Sequence, residues 1–594
     1  MKAIEQRLEQ GYLAYGVLLL LGLLTWCGVV HDTALTQING WIPQDSPILR
    51  NGDLNQISTI WTDFSFSTRH NLGSEFLPVR DTDLLIDFKL FGQNWALLHA
   101  GNLMWYLVSC CLFLGVCRHL LGPGLPAWLA AALFCVHPLH TENIAWLGGR
   151  QHLLSAAFFC SAWWLWLRIN GHEKQSTRPK MWPFVGIVVL FALGVLSSNQ
   201  ALAFPLVLVF CSLTFHKEHL KNRWREWKFW AFISLPLWLV SSRVIHQFRD
   251  TENVRALNPL EGMSLQLQLW SSDFSRVLWP QDLALHYPSP QGGSHLLVAT
   301  TMLAFVLILT WQSRKALPLL ALGFGVSFAG SLPTQVFRSA QNSDINQHVL
   351  LTTMGLAIVV GALLVRESKN TSSNRSPWLH RTCLLLILPL MWQSRQQVQN
   401  WKTNLSLWSA NASAQPSVLK NIVGQAHAMQ AVGQGHIGLS LLNEAEKQHK
   451  DQAQFYEGRG TLYFWENNSV SAEADFQRAL SLEPNLRIAG ENLALLLSQS
   501  ERLDEAALVA EHVTQVDPLY AAGFNTLGSI LLKAGRLDEA ETALLQADYL
   551  SHENTDAACN LAAVFQMKTQ QDATASPSAQ WWSSLCRQRR ETAP

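Results

Sequence analysis

The chain has 594 residues, 49% hydrophobic and only 14% charged, with 25 Trp and 43 each of Lys plus Arg and Asp plus Glu. That length implies several domains, and a charge share well under the roughly 25% of soluble proteins argues against a single soluble globule or a disordered chain. Zero net charge hides a net +8 over residues 1–395 and −8 beyond; neither part has a long basic run, so nucleic acid is excluded as an expected partner.

Apolar runs near the roughly 20 residues that cross a bilayer recur along the first 395 residues. Eleven spans are predicted, at 11–30, 94–117, 124–138, 151–168, 182–198, 200–215, 229–246, 294–312, 316–333, 348–365 and 382–394. The apolar core of the first is too long for a signal peptide, and no small-residue cleavage site follows it. Lys and Arg concentrate in segments that are cytoplasmic if the N-terminus is inside, most densely in HKEHLKNRWREWK at 216–228. That orientation leaves two long outer loops, 31–93 and 247–293, and puts everything after 395 outside. Within the second loop, 263–279 reads equally as an interfacial helix or a plain connector. Eight of the ten Cys sit in apolar stretches without metal-ligand spacing and read as small buried hydrophobes.

A linker at 396–416 leads to a repeat array over 417–569. Ala426, Gly460, Ala494, Gly528 and Ala562 recur every 34 residues, Ala472, Ala506 and Ala540 keep the same step, and ERLDEA at 501 matches GRLDEA at 535. This is the tetratricopeptide signature: pairs of helices that stack into a solenoid and present a surface for a peptide or protein partner. About four repeats are expected over 417–552 with a partial helix after them, and the tail 570–594, rich in Ser, Gln and Arg, is expected to be poorly ordered. Cys559 and Cys586 could pair. The expected fold class is therefore all-α, a polytopic membrane bundle followed by an α-solenoid.

Chemistry is sought at the outer rim, where charge beside a membrane is costly unless used. HPLHTE at 137–142 and LGGR at 147–150 bring two His, one Glu and one Arg onto one short hairpin. Glu142 is a candidate base or metal ligand, and Arg150, with its fork of donors, a candidate phosphate grip. For His137 and His140 a capped hairpin is the stronger reading, because two His two residues apart in a loop are weak metal evidence; Pro138 would turn the chain and Thr141 cap a helix.

HPLHTENIAWLGGRQHLLSAAFF resembles the segment HPxHTExVAxxxGRxDLLAxLFF of the transmembrane and tetratricopeptide-repeat protein O-mannosyltransferases and their bacterial relatives, membrane glycosyltransferases of the GT-C fold. LFGQNWALLHAGN at 90–102, RVLWPQDLALHYP at 276–288 and QNWKTNLSLWSANASAQP at 399–416 resemble further family segments in the same order. The resemblance implies a polyprenyl-phosphate sugar as donor, a protein hydroxyl as acceptor, and an acid in the first outer loop that deprotonates it. The family's acidic pair there matches His31 and Asp32, which makes Asp32 the expected base, with His31 assisting and Glu142 beside it. Arg150, His137 and His140 are expected to face the donor phosphate, and no metal site is expected.

Several family positions have drifted toward neutrality. Leu77 stands where the family has Arg, Ser198 and Asn199 replace Lys and Glu, and Asn346 and Gln347 replace Glu and Arg. Neutral groups cannot offset phosphate charge near a low-dielectric boundary. Two expectations follow: a transferase that draws its lipid-linked sugar from the bilayer, or a catalytically degenerate scaffold that assembles partners through its repeats. A flippase ranks below both, since no pair of interrupted half-helices is evident. The missing endoplasmic-reticulum retention motif and short first loop suit a bacterial inner membrane, N-terminus cytoplasmic and repeats periplasmic.

Overall fold

Every described element is helical, as the periodicity predicts. The computed structural model describes residues 11–31, 46–73, 76–170, 181–215, 259–288, 296–304, 308, 312, 318–337, 349–370, 378–550, 555–571 and 576–592. They divide into two compact units, Met1–Gln415 and Pro416–Pro594.

The first unit is built from α1 (Gly11–Trp26), α2 (Pro78–Phe91), α3 (Trp95–Leu121), α4 (Leu125–Cys135), α5 (Arg150–Asn170), α6 (Met181–Val195), α7 (Phe204–Phe215), α8 (Pro259–Leu278), α9 (Pro318–Phe337), α10 (Leu350–Asn370), α11 (Trp378–Asn400) and α12 (Asn404–Ala414). Three helices, Gly11–Val29, Trp95–Leu121 and Leu350–Ser368, are long and apolar enough to cross a membrane by length and composition. Leu125–Cys135, Trp182–Val195, Asn199–Phe215 and Pro318–Ser331 are apolar but shorter. The count of eleven spans is thus not reached among the described residues. The predicted span 229–246 and part of 294–312 lie outside them, while α5 and α11 are long enough but diluted by Arg150, His152 and Arg168, and by Arg381, Gln393 and Arg395. The 263–279 segment does form a helix, α8, which packs Trp270, Phe274 and Val277 against Val349 and Leu356.

The C-terminal end of α4 gathers the bundle. Helix ends leave carbonyls without partners, which is costly away from water. Here Tyr106 Oη donates to the Phe134 and Cys135 carbonyls (3.1 and 3.0 Å), Trp26 Nε1 to Cys135 (2.8 Å) and Ser394 Oγ to Val136 (2.6 Å). Side chains from α3, α1 and α11 therefore converge where α4 stops. At the junction of α9 and α10, a Cβ on Gly323 would lie 2.7 Å from Val359 Cγ2 and 2.8 Å from the Gly355 carbonyl, so these two helices pack backbone to backbone.

The second unit is five helical pairs: α13 (Leu419–Ala431) with α14 (Gly435–His449), α15 (Ala453–Trp465) with α16 (Ser469–Leu482), α17 (Arg487–Gln499) with α18 (Leu503–Val516), α19 (Ala521–Lys533) with α20 (Leu537–Leu550), and α21 (Thr555–Gln571) with α22 (Ser576–Thr592). Ala426, Ala472, Ala494, Ala506 and Ala540 are fully buried, as the 34-residue register requires. Arg459 on α15 reaches back and forward at once, bonding Asp475 through Nε and Nη2 (2.8 and 2.9 Å) and Glu446 through Nη1 (3.0 Å). The expectation of a partial fifth repeat and a poorly ordered tail is overturned. α22 buries Trp582 and Ala579 against the solenoid core, a Cys559–Cys586 disulfide ties it to α21, and Arg589 pairs with Asp548 at 2.5 Å.

The turn between the helices of a pair needs one residue with positive φ, and these fall 34 apart: Gly433 (78°), Asn467 (58°), Glu501 (60°) and Gly535 (78°). Glycine adopts that conformation without steric cost, whereas a Cβ-bearing residue gives up about 1–2 kcal/mol. The Glu501–Lys533 ion pair (2.8 Å) is largely exposed and offsets little of that. Glu501→Gly is therefore expected to raise the stability of the repeat unit by about 1 kcal/mol, and Gly535→Ala to lower it. Thermal unfolding of the two variants checks both signs.

Candidate functional site

Asp83 and Asp87 are four residues apart on α2, hence on one face of the helix, and that face meets Arg150 at the start of α5. The guanidinium is fully buried. Its Nη1 pairs with Asp83 Oδ2, its Nη2 lies 2.8 Å from Asp87 Oδ2, its Nε donates to Asn102 Oδ1 (2.5 Å) and Nη2 also to the Leu98 carbonyl (3.0 Å). Asn102 in turn donates to the carbonyls of Ile144 (3.2 Å) and Trp146 (2.8 Å), fixing the hairpin to α3. Burial holds the Asp87 carboxyl above its ordinary value against the pull of Arg150. Gly101 leaves room for this pair: a Cβ would sit 2.6 Å from Arg150 Nη2 and 2.7 Å from Asp87 Oδ2, so any side chain there displaces the two charged ends. Two carboxylates and two neutral acceptors thus surround the guanidinium that the sequence reading expected to face a phosphate.

The two hairpin histidines are likewise committed. His137 Nε2 donates to the Val277 carbonyl (3.0 Å) while Nδ1 accepts from Leu139 N (3.4 Å). His140 bonds Tyr106 Oη through Nδ1 (2.7 Å) and Thr353 Oγ1 through Nε2 (2.9 Å). Burial keeps His140 well below its ordinary pKa, hence neutral. Both imidazoles are buried and bonded on both nitrogens, so each joins the hairpin to another element. Pro138 opens a short turn as expected, but Thr141 Oγ1 donates back to the Pro138 carbonyl (2.7 Å) instead of capping a helix.

Glu142, on the short helix Thr141–Ala145, is 4% exposed. It borders a cleft lined also by Leu285, Asn400, Trp401 and Asn411, whose volume of about 20 Å³ has room for about one water. Asn411 closes one side by accepting from Leu285 N (2.5 Å). His31 follows the turn that ends α1, its ring 4.9 Å from that of His99 on α3, centroid to centroid. Among the described residues neither of its covered nitrogens has a hydrogen-bond partner, and burial and the Lys402 charge push its pKa down. Asp32, Asn346 and Gln347 lie outside the described residues.

Of the drifted positions, Leu77 is buried just ahead of α2. Ser198 ends a polar chain: Arg80 Nη1 to Gln151 Oε1 (3.1 Å), Gln151 Nε2 to His152 Nε2 (3.1 Å), and His152 Nδ1 to Ser198 Oγ (3.3 Å). Asn199 begins the short turn that follows. Among the described residues, no group of three or more His, Cys, Asp or Glu could hold a metal. The sequence reading missed Asp87, Asn102 and Lys402; only the four-residue spacing of Asp83 and Asp87 could have hinted at a shared cation.

Residues 521–554 match the tetratricopeptide repeat model. The protein O-mannosyl-transferase TMTC3 of Mus musculus is 24% identical over 91% of this chain and 63% of its own length, and its Homo sapiens counterpart 23% over 91% and 64%. The Drosophila melanogaster protein O-mannosyl-transferase Tmtc2 is 30% identical over 19% of this chain and 12% of its own. This chain thus spans under two thirds of the length of the first two relatives. Among solved structures, MamA is similar at 17% identity over 25% of this chain and 87% of its own, with a TM-score of 0.23, and yeast Tom70 at 11% over 77% and 95%, with 0.28. With a repeat match in its second unit and a similarity that runs over 91% of its length, the chain resembles the proteins named protein O-mannosyl-transferase TMTC3.

Proposed function

We propose that the chain is a membrane glycosyltransferase that moves a sugar from a polyprenyl-phosphate donor to a protein hydroxyl on the outer face, with the repeats holding the acceptor. The observation that carries this is Glu142, a buried carboxylate bordering a cleft at the end of the bundle where His31 and the Asp83–Asp87–Arg150 cluster also lie. In this reading Asp32, next in sequence to His31, or Glu142 takes the proton from the acceptor hydroxyl. The hydroxyl oxygen then attacks the anomeric carbon with inversion, and the phosphate leaves with the lipid. Arg150 serves by positioning α2 and the hairpin. The Cys559–Cys586 disulfide favours an oxidising side for the repeats, in keeping with a bacterial inner membrane, cytoplasmic N-terminus and periplasmic repeats.

A single-turnover assay of the full chain in nanodiscs, with polyprenyl-phosphate sugars and peptides captured by the repeats, tests the reading. Asp32→Asn or Glu142→Gln, whichever removes the base, is expected to slow transfer by about 10²-fold or more. A second reading, a degenerate scaffold that assembles partners through its repeats, is favoured by the internal commitment of Arg150, His137 and His140. A folded wild-type protein that captures a partner but transfers no sugar from any donor would select it.

A further inference from the structure

One register position in the repeat unit is left without a side chain. Ile422, Tyr456 and Phe524 stand at equivalent places, in steps of 34 residues, on α13, α15 and α19, whereas α17 has Gly490 there and α21 has Ala558. A Cβ on Gly490 would meet Val513 Cγ2 at 2.7 Å and no other atom within 4 Å beyond its own stretch of helix. A cavity of about 300 Å³ borders it. Leu480 of α16, Leu486 just ahead of α17, and Val509 and Val513 of α18 form apolar walls, and Leu508, 67% exposed, stands at the edge. The first helices α15, α17 and α19 pack on one another along the array. The cavity lies instead between the second helices α16 and α18, over the first turn of α17.

This volume is at the low end of the roughly 300–1,000 Å³ of ligand sites, so it suits one large side chain, and apolar walls hold water poorly. Charge narrows the choice of occupant. The ionisable groups on the lining are both basic, Arg487 and His512, with no carboxylate among them, in a part of the chain that is net −8. Arg487 is held in place by Asp517 at Nη1 (2.6 Å) and by the Tyr520 ring, 4.3 Å from the guanidinium carbon to the centroid. Its Nε is covered and has no hydrogen-bond partner among the described residues, and a covered donor without a bond is a cost that an incoming acceptor removes. His512 is exposed on α18. We propose that this cavity docks an extended acidic segment of a partner protein, which inserts one aromatic side chain and lays the carboxylate of an adjacent Asp or Glu against Arg487 Nε and His512. The ring supplies the bulk that Gly490 withholds and displaces water from apolar walls. The carboxylate supplies the missing acceptor through a charge-assisted bond. The site stands whichever reading of the membrane unit holds.

The test is fluorine NMR of a Gly/Ser-rich peptide carrying para-fluorophenylalanine followed by Asp, titrated with the full chain in nanodiscs; line broadening of the peptide signal reads binding. Two further peptides, with Asn in place of that Asp and with Ala in place of the aromatic residue, compete against it. The expected result is binding that the Asn peptide matches only about tenfold more weakly and that the Ala peptide does not displace. Leu508→Glu and His512→Glu should each weaken binding about tenfold or more, by closing the edge with a like charge. Both side chains are exposed, so the melting temperature should stay as in wild type. Arg487→Lys should also weaken binding, because an ammonium cannot keep the Asp517 pair and present a second donor at the Nε position. No binding of the fluorinated peptide by wild type overturns the proposal. So does binding that Leu508→Glu and His512→Glu leave unchanged, because it then lies elsewhere on the chain. Equal binding of the Asp and Asn peptides overturns the acidic partner and leaves an apolar pocket alone.

Discussion

Arg150→Leu is expected to cost about 3–5 kcal/mol, the range for removing one partner of a buried ion pair. The side chain is fully buried, and its loss leaves Asp83 and Asp87 facing each other without a cation, and Asn102 Oδ1 and the Leu98 carbonyl without their donor. Leucine fills part of the volume but satisfies none of these groups. Arg150→Lys falls short too, because one ammonium cannot reach four acceptors spread around a planar fork. The expected phenotype is release of α2 from α3 and α5, so chemical unfolding in detergent should show a large drop in midpoint, and protease should cut first near residues 78–91. Adding Asp83→Asn and Asp87→Leu should restore much of the loss, since the penalty lies in the orphaned charges. An Arg150→Leu protein as stable as wild type would show that the two carboxylates do not depend on this cation.

That cluster marks how far the sequence could be read. The hairpin motif made Arg150 stand out, but its role depends on Asp83 and Asp87, more than 60 residues earlier, and nothing in a one-dimensional pattern distinguishes a cation waiting for phosphate from one already paired. His137 and His140 show the same limit: their partners Val277 and Thr353 come from segments 140 and 213 residues away. The repeats were far more legible, because a 34-residue step writes each packing position several times over. Even there, α22 was hidden. Its surface of Ser, Gln and Arg suggested disorder, while its buried face is carried by only Ala579, Trp582 and a partly buried Leu585, helped by a disulfide that spacing alone could not assign. The described residues reach fewer spans for a different reason: helices such as α5 use polar residues to bond neighbours within the bundle, which lowers their hydropathy without removing them from the fold.

The repeat unit is expected to lose stability as the pH rises from about 4.5 to 7, through Glu457 on α15. Burial and the nearby Glu483 carboxylate raise its pKa to about 7, against a smaller opposing pull from Arg487. In the unfolded chain the same group titrates at about 4.5. Below that pH both states hold the proton and the contribution is complete. Above it the unfolded state ionises first, so stability falls until the folded carboxyl also ionises near pH 7. A shift of this size corresponds to a swing of about 3 kcal/mol at most, an order-of-magnitude figure. Amide exchange within α15 and α17 of the full chain, corrected for intrinsic rates and compared at pH 5 and pH 8, measures it. Glu457→Gln should flatten the dependence and make the solenoid more stable at pH 8. Glu483→Gln should reduce the dependence in part, because it removes the charge repulsion and leaves the burial. If Glu457→Gln leaves the pH dependence unchanged, another group carries it and the buried carboxyl is ionised at neutral pH. Either outcome bears on binding, since a protonated Glu457 offers a partner peptide a hydrogen-bond donor where an ionised one offers only acceptors.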